Sequence, residues 1–294
     1  MQHLRERLAE ITEANQPATV RQVFYRAVSE GLIPKSEATY KTTVVRLLGD
    51  MRLSGRIPFH WIADGTRWVR KPTTFDSIED ALQQTARLYR RALWSDQDVR
   101  IEVWLEKEAL AGVIVQETEK YDVPLYVTRG YASLSYLYAA AQAIASRQQS
   151  THIYYFGDLD PSGLDIARNV EARLREFVCT MPALNQETAE RWCHNRFFDI
   201  PRDAGLHFHR IAVTEAQVEE YGLLTRPTKQ TDSRSAKFSG ESVEVDAIDP
   251  PTLRELVTDA IVQHIDQDAL DVVEAAERSE REILLRMAGS EPVA

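Results

Sequence analysis

Two periodicities divide the chain. Up to about residue 71 the apolar positions recur every three or four residues between capping residues, which is the helical pattern. Residues 3–14 predict a short amphipathic helix ending before NQPAT. Thr19 is placed to cap a second helix, VRQVFYRAVSEG, that closes at Gly31, and Ser36 to cap a third, EATYKTTVVRLLGDMRLSG. In the second helix Val20, Val23, Phe24, Ala27 and Val28 form the buried stripe. Tyr25 falls at its edge, its hydroxyl expected to face outward, with Arg21 one turn earlier on the same side. In the third, Tyr40, Val44, Leu47, Leu48 and Met51 share a face opposite Thr42 and Arg46, with Lys41 and Arg52 on the flanks. Residues 72–98 read as a connecting segment with one helix, SIEDALQQTARLYRRALW. From residue 99 the pattern changes to short β-branched and aromatic runs, RIEVWLE, PLYVTR, THIYYFGD and HFHRIAV, each followed by a helical stretch. That alternation predicts an α/β domain with a mostly parallel sheet over 99–294, with a helical C-terminal region packed on it.

Between the third helix and the connecting segment, IPFHWIADGTRWVRKP reads as two short strands around an Asp-Gly turn. Three helices and a hairpin are the order of a winged helix, expected over 1–71, and the third helix has the two-faced character of a recognition helix. Charge strengthens that reading. The net charge of −10 argues against a nucleic-acid partner only until its distribution is seen. Residues 41–71 carry seven basic residues, Lys41, Arg46, Arg52, Arg56, Arg67, Arg70 and Lys71, against Asp50 and Asp64. A second basic loop, RPTKQTDSRSAKF, carries Arg226, Lys229, Arg234 and Lys237. Lys41, Arg46, Arg52, Arg67, Arg70, Lys71, Lys229 and Arg234 are therefore the expected contacts to double-stranded DNA, the alternative being a solvated basic surface. No apolar run approaches the ~20 residues of a membrane span, the N-terminus has no secretory apolar core, and two cysteines, Cys179 and Cys193, make no disulfide framework. A cytoplasmic setting without a membrane partner is expected.

The candidate chemistry lies at strand ends. Glu106 closes the first strand of the α/β region, and Asp158 and Asp160 follow the third in YYFGDLDPSG. Parallel sheets place ligands at the carboxyl ends of their strands. Three hard oxygen donors converging there suit a hydrated Mg²⁺, and the absence of His or thiolate at the same ends argues against zinc. The alternative is a loop in which an aspartate caps the helix beginning near Pro161. Cys193 and His194 in CHNRFF have no second pair at metal spacing and read as ordinary loop residues.

VWLEKEAL, followed some fifty residues on by DLDPSGLDI, resembles the Toprim signature of a glutamate and then Asp-x-Asp. Lys107, Pro161 and Gly163 narrow the resemblance to the topoisomerase VI A subunit and the meiotic double-strand-break transesterase, and the short length is most similar to the compact, solitary Mini-A group of phages and mobile elements. The resemblance implies a winged helix carrying a nucleophilic tyrosine in a motif like Arg-x-x-Tyr-Tyr. RQVFYR then gives that role to Tyr25, with Arg21 stabilising the phenolate or the phosphate. It further implies attack on a DNA phosphodiester to give a 5′-phosphotyrosyl link, with catalytic Glu106 joining Asp158 and Asp160 on Mg²⁺. A two-fold homodimer follows too, in which the tyrosine of one subunit meets the metal site of the other. The chain departs from the pattern at Phe24, in TRGYAS, which lacks a proline after the glycine, and in the shortness of the segment before the tyrosine motif. A separate ATPase subunit works with the resembled A subunit, but no docking extension for one and no Walker A motif is present here. Two other functions stay open, a Toprim nuclease using water and a non-cleaving DNA-binding protein. Tyr40 is the nearest competitor to Tyr25, and its place on the apolar face argues for packing.

Overall fold

The computed structural model describes residues 2–63, 72–146, 149–180, 205–227 and 241–289. The N-terminal part is three helices: α1 (Gln2–Asn15), α2 (Val20–Ser29) and α3, which runs through Glu37–Thr39, a π-helical turn at Tyr40–Val44 and Val45–Leu53. A capping box starts α2: the Thr19 hydroxyl accepts the Gln22 N–H at 3.1 Å, and the Gln22 side chain accepts the Thr19 N–H at 2.9 Å. Gly31, at φ +69°, takes the left-handed position that ends it. The Ser36 hydroxyl accepts the Thr39 N–H at the start of α3. Leu8, Ile11, Phe24, Leu47, Leu48 and Met51 close over one apolar cluster, as the helical spacing requires.

Two expected elements take a different form. The first arm of the hairpin is not a strand: Phe59–Trp61 is a 3₁₀ turn, and Ile62 makes a single parallel bridge to Ala18. Pro58 has no N–H for a ladder, and Ile57 is buried in the helical cluster. Residues 64–71, with Arg67, Arg70 and Lys71, lie outside the described residues. The connecting helix, α4 (Ile78–Leu88), stops at Leu88 rather than running on to Trp94. Tertiary contacts outweigh helical propensity there: Leu93 and Trp94 are buried, the Trp94 indole donates to the Tyr121 carbonyl at 2.7 Å, and the Arg91 N–H donates to Glu277 at 2.9 Å.

The strands β1 (Val99–Leu105), β2 (Leu125–Val127), β3 (Ser150–Phe156) and β4 (Leu206–Ala212) form one all-parallel sheet in the order β2-β1-β3-β4. They are linked by α5 (Ala111–Lys120), α6 (Leu134–Ala145) and α7 (Pro161–Thr180), and α8 (Glu215–Glu220), α9 (Pro250–Val262) and α10 (Gln267–Met287) follow β4. Side chains alternate across the sheet. Val103, Leu105, Tyr154 and Phe156 meet α5, α9 and α10 on one face, and Trp104, Ile153 and Tyr155 meet α6 and α7 on the other. Near-continuous apolar strands are what a sheet covered on both faces demands. On β3 and β4, His152 stacks on His207 with ring centroids 4.2 Å apart and meets His209 Nε2 through Nδ1 at 3.2 Å, with the His264 ring 4.4 Å away. The helical part is joined to the α/β part by Lys35, which donates to the Leu224 and Thr225 carbonyls at 3.2 and 2.8 Å, and by Arg254, which donates to the Pro17 carbonyl at 3.3 Å. Among the described residues no helix is long and apolar enough to cross a membrane.

Candidate active site

The carboxyl ends of β1 and β3 run side by side, Leu105 paired with Phe156, so Glu106 and the segment Gly157–Asp158 leave the sheet together. Glu106 Oε2 accepts the Asp158 N–H at 3.1 Å. At Gly157 a Cβ would stand 2.5 Å from that same oxygen and 2.7 Å from the Tyr155 ring, so a larger residue would displace the Glu106 carboxylate. Gly163 is as constrained: a Cβ there would stand 2.3 Å from the Asp158 carbonyl oxygen, so the first turn of α7 rests directly on the loop. Asp160 turns its Oδ1 to the Gly163 N–H at 2.8 Å and so caps α7. Behind the loop, the Arg210 guanidinium donates to the carbonyls of Asp158 at 2.7 Å, Gly157 at 3.3 Å and Val213.

A second acidic pair, passed over in the sequence, completes the floor. Lys107, the residue after Glu106, places its Nζ 3.1 Å from Asp158 Oδ1, 3.2 Å from Glu244 Oε2 and 2.7 Å from Asp246 Oδ2. Asp158 Oδ1 also accepts the Val245 N–H at 2.8 Å. Arg226 is hydrogen-bonded to Glu244 and stands 3.9 Å from Asp160, and Arg21 stands 3.7 Å from Glu244. The signal was in ESVEVDAID, where Glu244 stands between the buried apolar residues Val243 and Val245. Arg210 had a signal as well, being the one cation inside the apolar strand β4.

Burial and charge shift these groups in opposite directions. Burial, with Asp158 adding to it, pushes the Glu106 carboxyl up to about 7. Burial also raises Asp158, against the pull of Lys107 and the Val245 N–H. At Glu244 burial is outweighed by Lys107, Arg226 and Arg21, which hold the carboxyl below its usual range. Burial opposes the charge of Lys107, but Asp246, Asp158 and Glu244 prevail and the ammonium is held firmly protonated.

A cleft of about 760 Å³ opens above this floor, between the helical part and the sheet ends. Arg21, Arg52, Arg129 and Arg226 line it with Lys107, facing Glu106, Glu108, Asp158, Glu244 and Asp246, so five formal cations balance five carboxylates. Tyr40 is on its wall, half-buried, with the Arg21 guanidinium 4.5 Å from its ring centroid and Phe24 edge-on at 5.4 Å. Burial raises the Tyr40 phenol and Arg21 opposes the rise. The π-helical turn beginning at Tyr40 is a local widening of the kind common at functional sites.

Tyr25 is placed differently from its expectation. It is 5% exposed, inside the helical cluster, and lines a separate crevice with Gln22, Arg26 and Asp246 rather than the cleft. Packing of α2 against α1 and the 245–248 segment covers the edge of the stripe as well as its centre, a tertiary effect that helical phasing omits. Burial and Glu244 push its phenol up to about 12, a rise that Lys107 and Arg21 reduce without cancelling. Arg21 stacks on Tyr40 instead.

Of the expected DNA contacts, Arg52 lines the cleft, Arg46 is exposed, and Lys41 is exposed with Glu37 at 3.6 Å. Lys229 and Arg234, like Cys193 and His194, lie outside the described residues. Among the described residues no three His, Cys, Asp or Glu side chains are arranged to hold a metal ion. Glu106 and Asp158 are brought together, Asp160 is committed to α7, and the ammonium of Lys107 sits where the carboxylates converge. The donor set itself, buried hard oxygens already gathered around a cation, fits Mg²⁺ in chemistry. No protein-family model matches the chain, and no curated protein matches it.

Proposed function

We propose that the chain is a winged-helix and Toprim-type protein that cleaves double-stranded DNA by magnesium-dependent tyrosine transesterification, similar to the topoisomerase VI A subunit. The observation that carries this reading is the single cleft in which strand-end carboxylates lie beneath four arginines drawn from both parts of the chain. Arg21, Arg52, Arg129 and Arg226 receive backbone phosphates; guanidiniums match phosphate oxygens in geometry and keep their charge. Glu106 and Asp158, with Asp160 once released from α7, would hold Mg²⁺, which when bound supplies positive charge at the reacting phosphate and leaving oxygen. Tyr25 serves the cleft of a second copy in a two-fold dimer, which requires the packing that covers its phenol to open on assembly.

A second reading, a nuclease in which water is the nucleophile, is favoured by one observation: the buried, poorly ionised phenol of Tyr25. Both readings require the carboxylates. Asp158→Asn is expected to abolish Mg²⁺-dependent cleavage of a labelled duplex while leaving duplex affinity within about twofold of wild type. Undiminished metal-dependent cleavage by that variant would remove the cleft from the reaction.

A further inference from the structure

Lys107 has an unusual position for a residue next to a proposed metal ligand. Backbone extension at Lys107, φ −103° and ψ 112°, sends its side chain away from that of Glu106 and into the other carboxylates. An ammonium has three donors. All three are accounted for, by Asp158 at 3.1 Å, Glu244 at 3.2 Å and Asp246 at 2.7 Å. The Asp246 side chain is 2% exposed, and Lys107 is the cation in contact with it. Glu244, by contrast, is shared with Arg226 and Arg21. The three oxygens come from two distant segments, the loop after β3 and residues 244–246, which a cation at their centre holds together.

We propose that Lys107 is a tethered cation that closes this site, and that a hydrated divalent cation enters by exchange with its ammonium, so that Glu244 and Asp246 join Asp158 as ligands. The inference rests on the metal-dependent reading above only for the class of the incoming ion. A divalent cation and the ammonium cannot share the same three oxygens, because two like charges at about 3 Å repel strongly in a buried site. Exchange keeps the carboxylates neutralised in both states. The released Lys107, on its four-carbon stem, then reaches into the cleft, where a phosphate would receive it.

The test needs no DNA and no cleavage. Mn²⁺ is titrated into the full-length protein by electron paramagnetic resonance, for wild type, Lys107→Met and Lys107→Arg. The proposal expects Lys107→Met to bind Mn²⁺ at least tenfold more tightly than wild type, and Lys107→Arg to stay within about threefold of wild type. In parallel, wild-type lysines are acetylated briefly in EDTA and in saturating Mn²⁺, and the peptide carrying Lys107 is quantified by mass spectrometry. Labelling of Lys107 should rise at least fivefold with Mn²⁺ while the exposed Lys41 and Lys120 stay unchanged. This second arm uses the wild-type chain and stands even where Lys107→Met fails to fold. Equal Mn²⁺ affinities across folded variants, or Lys107 labelling unmoved at Mn²⁺ saturation, would overturn the exchange. Loss of DNA cleavage with exchange intact would instead count against the functional reading alone.

Discussion

Replacing Gly163 by alanine is a sharp test of how the site is built. The added Cβ would lie 2.3 Å from the Asp158 carbonyl oxygen and 3.3 Å from the Asp158 Cβ, whereas ordinary contact begins at 3.4 Å. The first turn of α7 and the Asp158 loop must therefore separate by about 1 Å. The loop resists, because Arg210 grips the Asp158 carbonyl at 2.7 Å and the Val245 N–H holds its carboxylate at 2.8 Å. Overpacking of this kind costs about 1–3 kcal/mol, which in a chain this size lowers the melting temperature by roughly 2–4 °C per kcal/mol. It also breaks the Asp160 cap on the Gly163 N–H. Gly49 is the matched control: it lies inside α3 with nothing within 4 Å of a built Cβ, so Gly49→Ala should stabilise by about 0.5–1 kcal/mol through reduced backbone freedom. Thermal unfolding of both variants by circular dichroism reads the two signs. Gly163→Ala as stable as wild type, with Gly49→Ala behaving as expected, would refute the close approach of α7 to the loop.

Thr19→Ala removes one half of a buried capping box and should cost about 1 kcal/mol in urea denaturation, with Thr19→Ser recovering most of it. The His152 ring is pushed down to about 3, first by burial and then by His207, His264 and His209, so folding favours the neutral imidazole. The stability this contributes is complete above pH 6.5, the ordinary value, and is lost as pH falls towards 3. Because the ring is only partly buried, the loss is on the order of 1–2 kcal/mol, and His152→Gln should flatten the acid limb of stability against pH, measured by urea denaturation between pH 7 and 4.

The alternation of strands and helices after residue 99 was most legible at β3, whose IYYF is buried on both faces and so reads as an unbroken apolar run. The caps Thr19 and Ser36 were legible because their bonds are local, three residues apart. What escaped is what long-range packing decides. The helix expected through Trp94 gives way to contacts with Tyr121 and Glu277, far along the chain. Tyr25 is covered by segments its own helix cannot reveal, whereas Tyr40 packs on the helical cluster as its apolar face implies and lines the cleft as well. Glu106 and Asp158 could be found from their strand ends, whereas Glu244 and Asp246 enter the same site from a segment with no regular strand to mark it. Lys107 was visible only as a motif residue, and its role as an internal counter-ion depends on partners more than fifty positions away in sequence.

The central claim, DNA cleavage through a phosphotyrosyl link at this cleft, is tested most directly by trapping the adduct. End-labelled duplex DNA is incubated with the protein and Mg²⁺, denatured, resolved by gel and digested with nuclease and trypsin. Trypsin releases Tyr25 in QVFYR and Tyr40 in SEATYK, so mass spectrometry separates the two phenols. The transesterase reading predicts labelled DNA carried on the protein, with the nucleotide on the Tyr25 peptide and no adduct from Tyr25→Phe. Metal-dependent nicks with no protein-linked DNA, from wild type under the same conditions, would contradict it and leave the water-dependent nuclease.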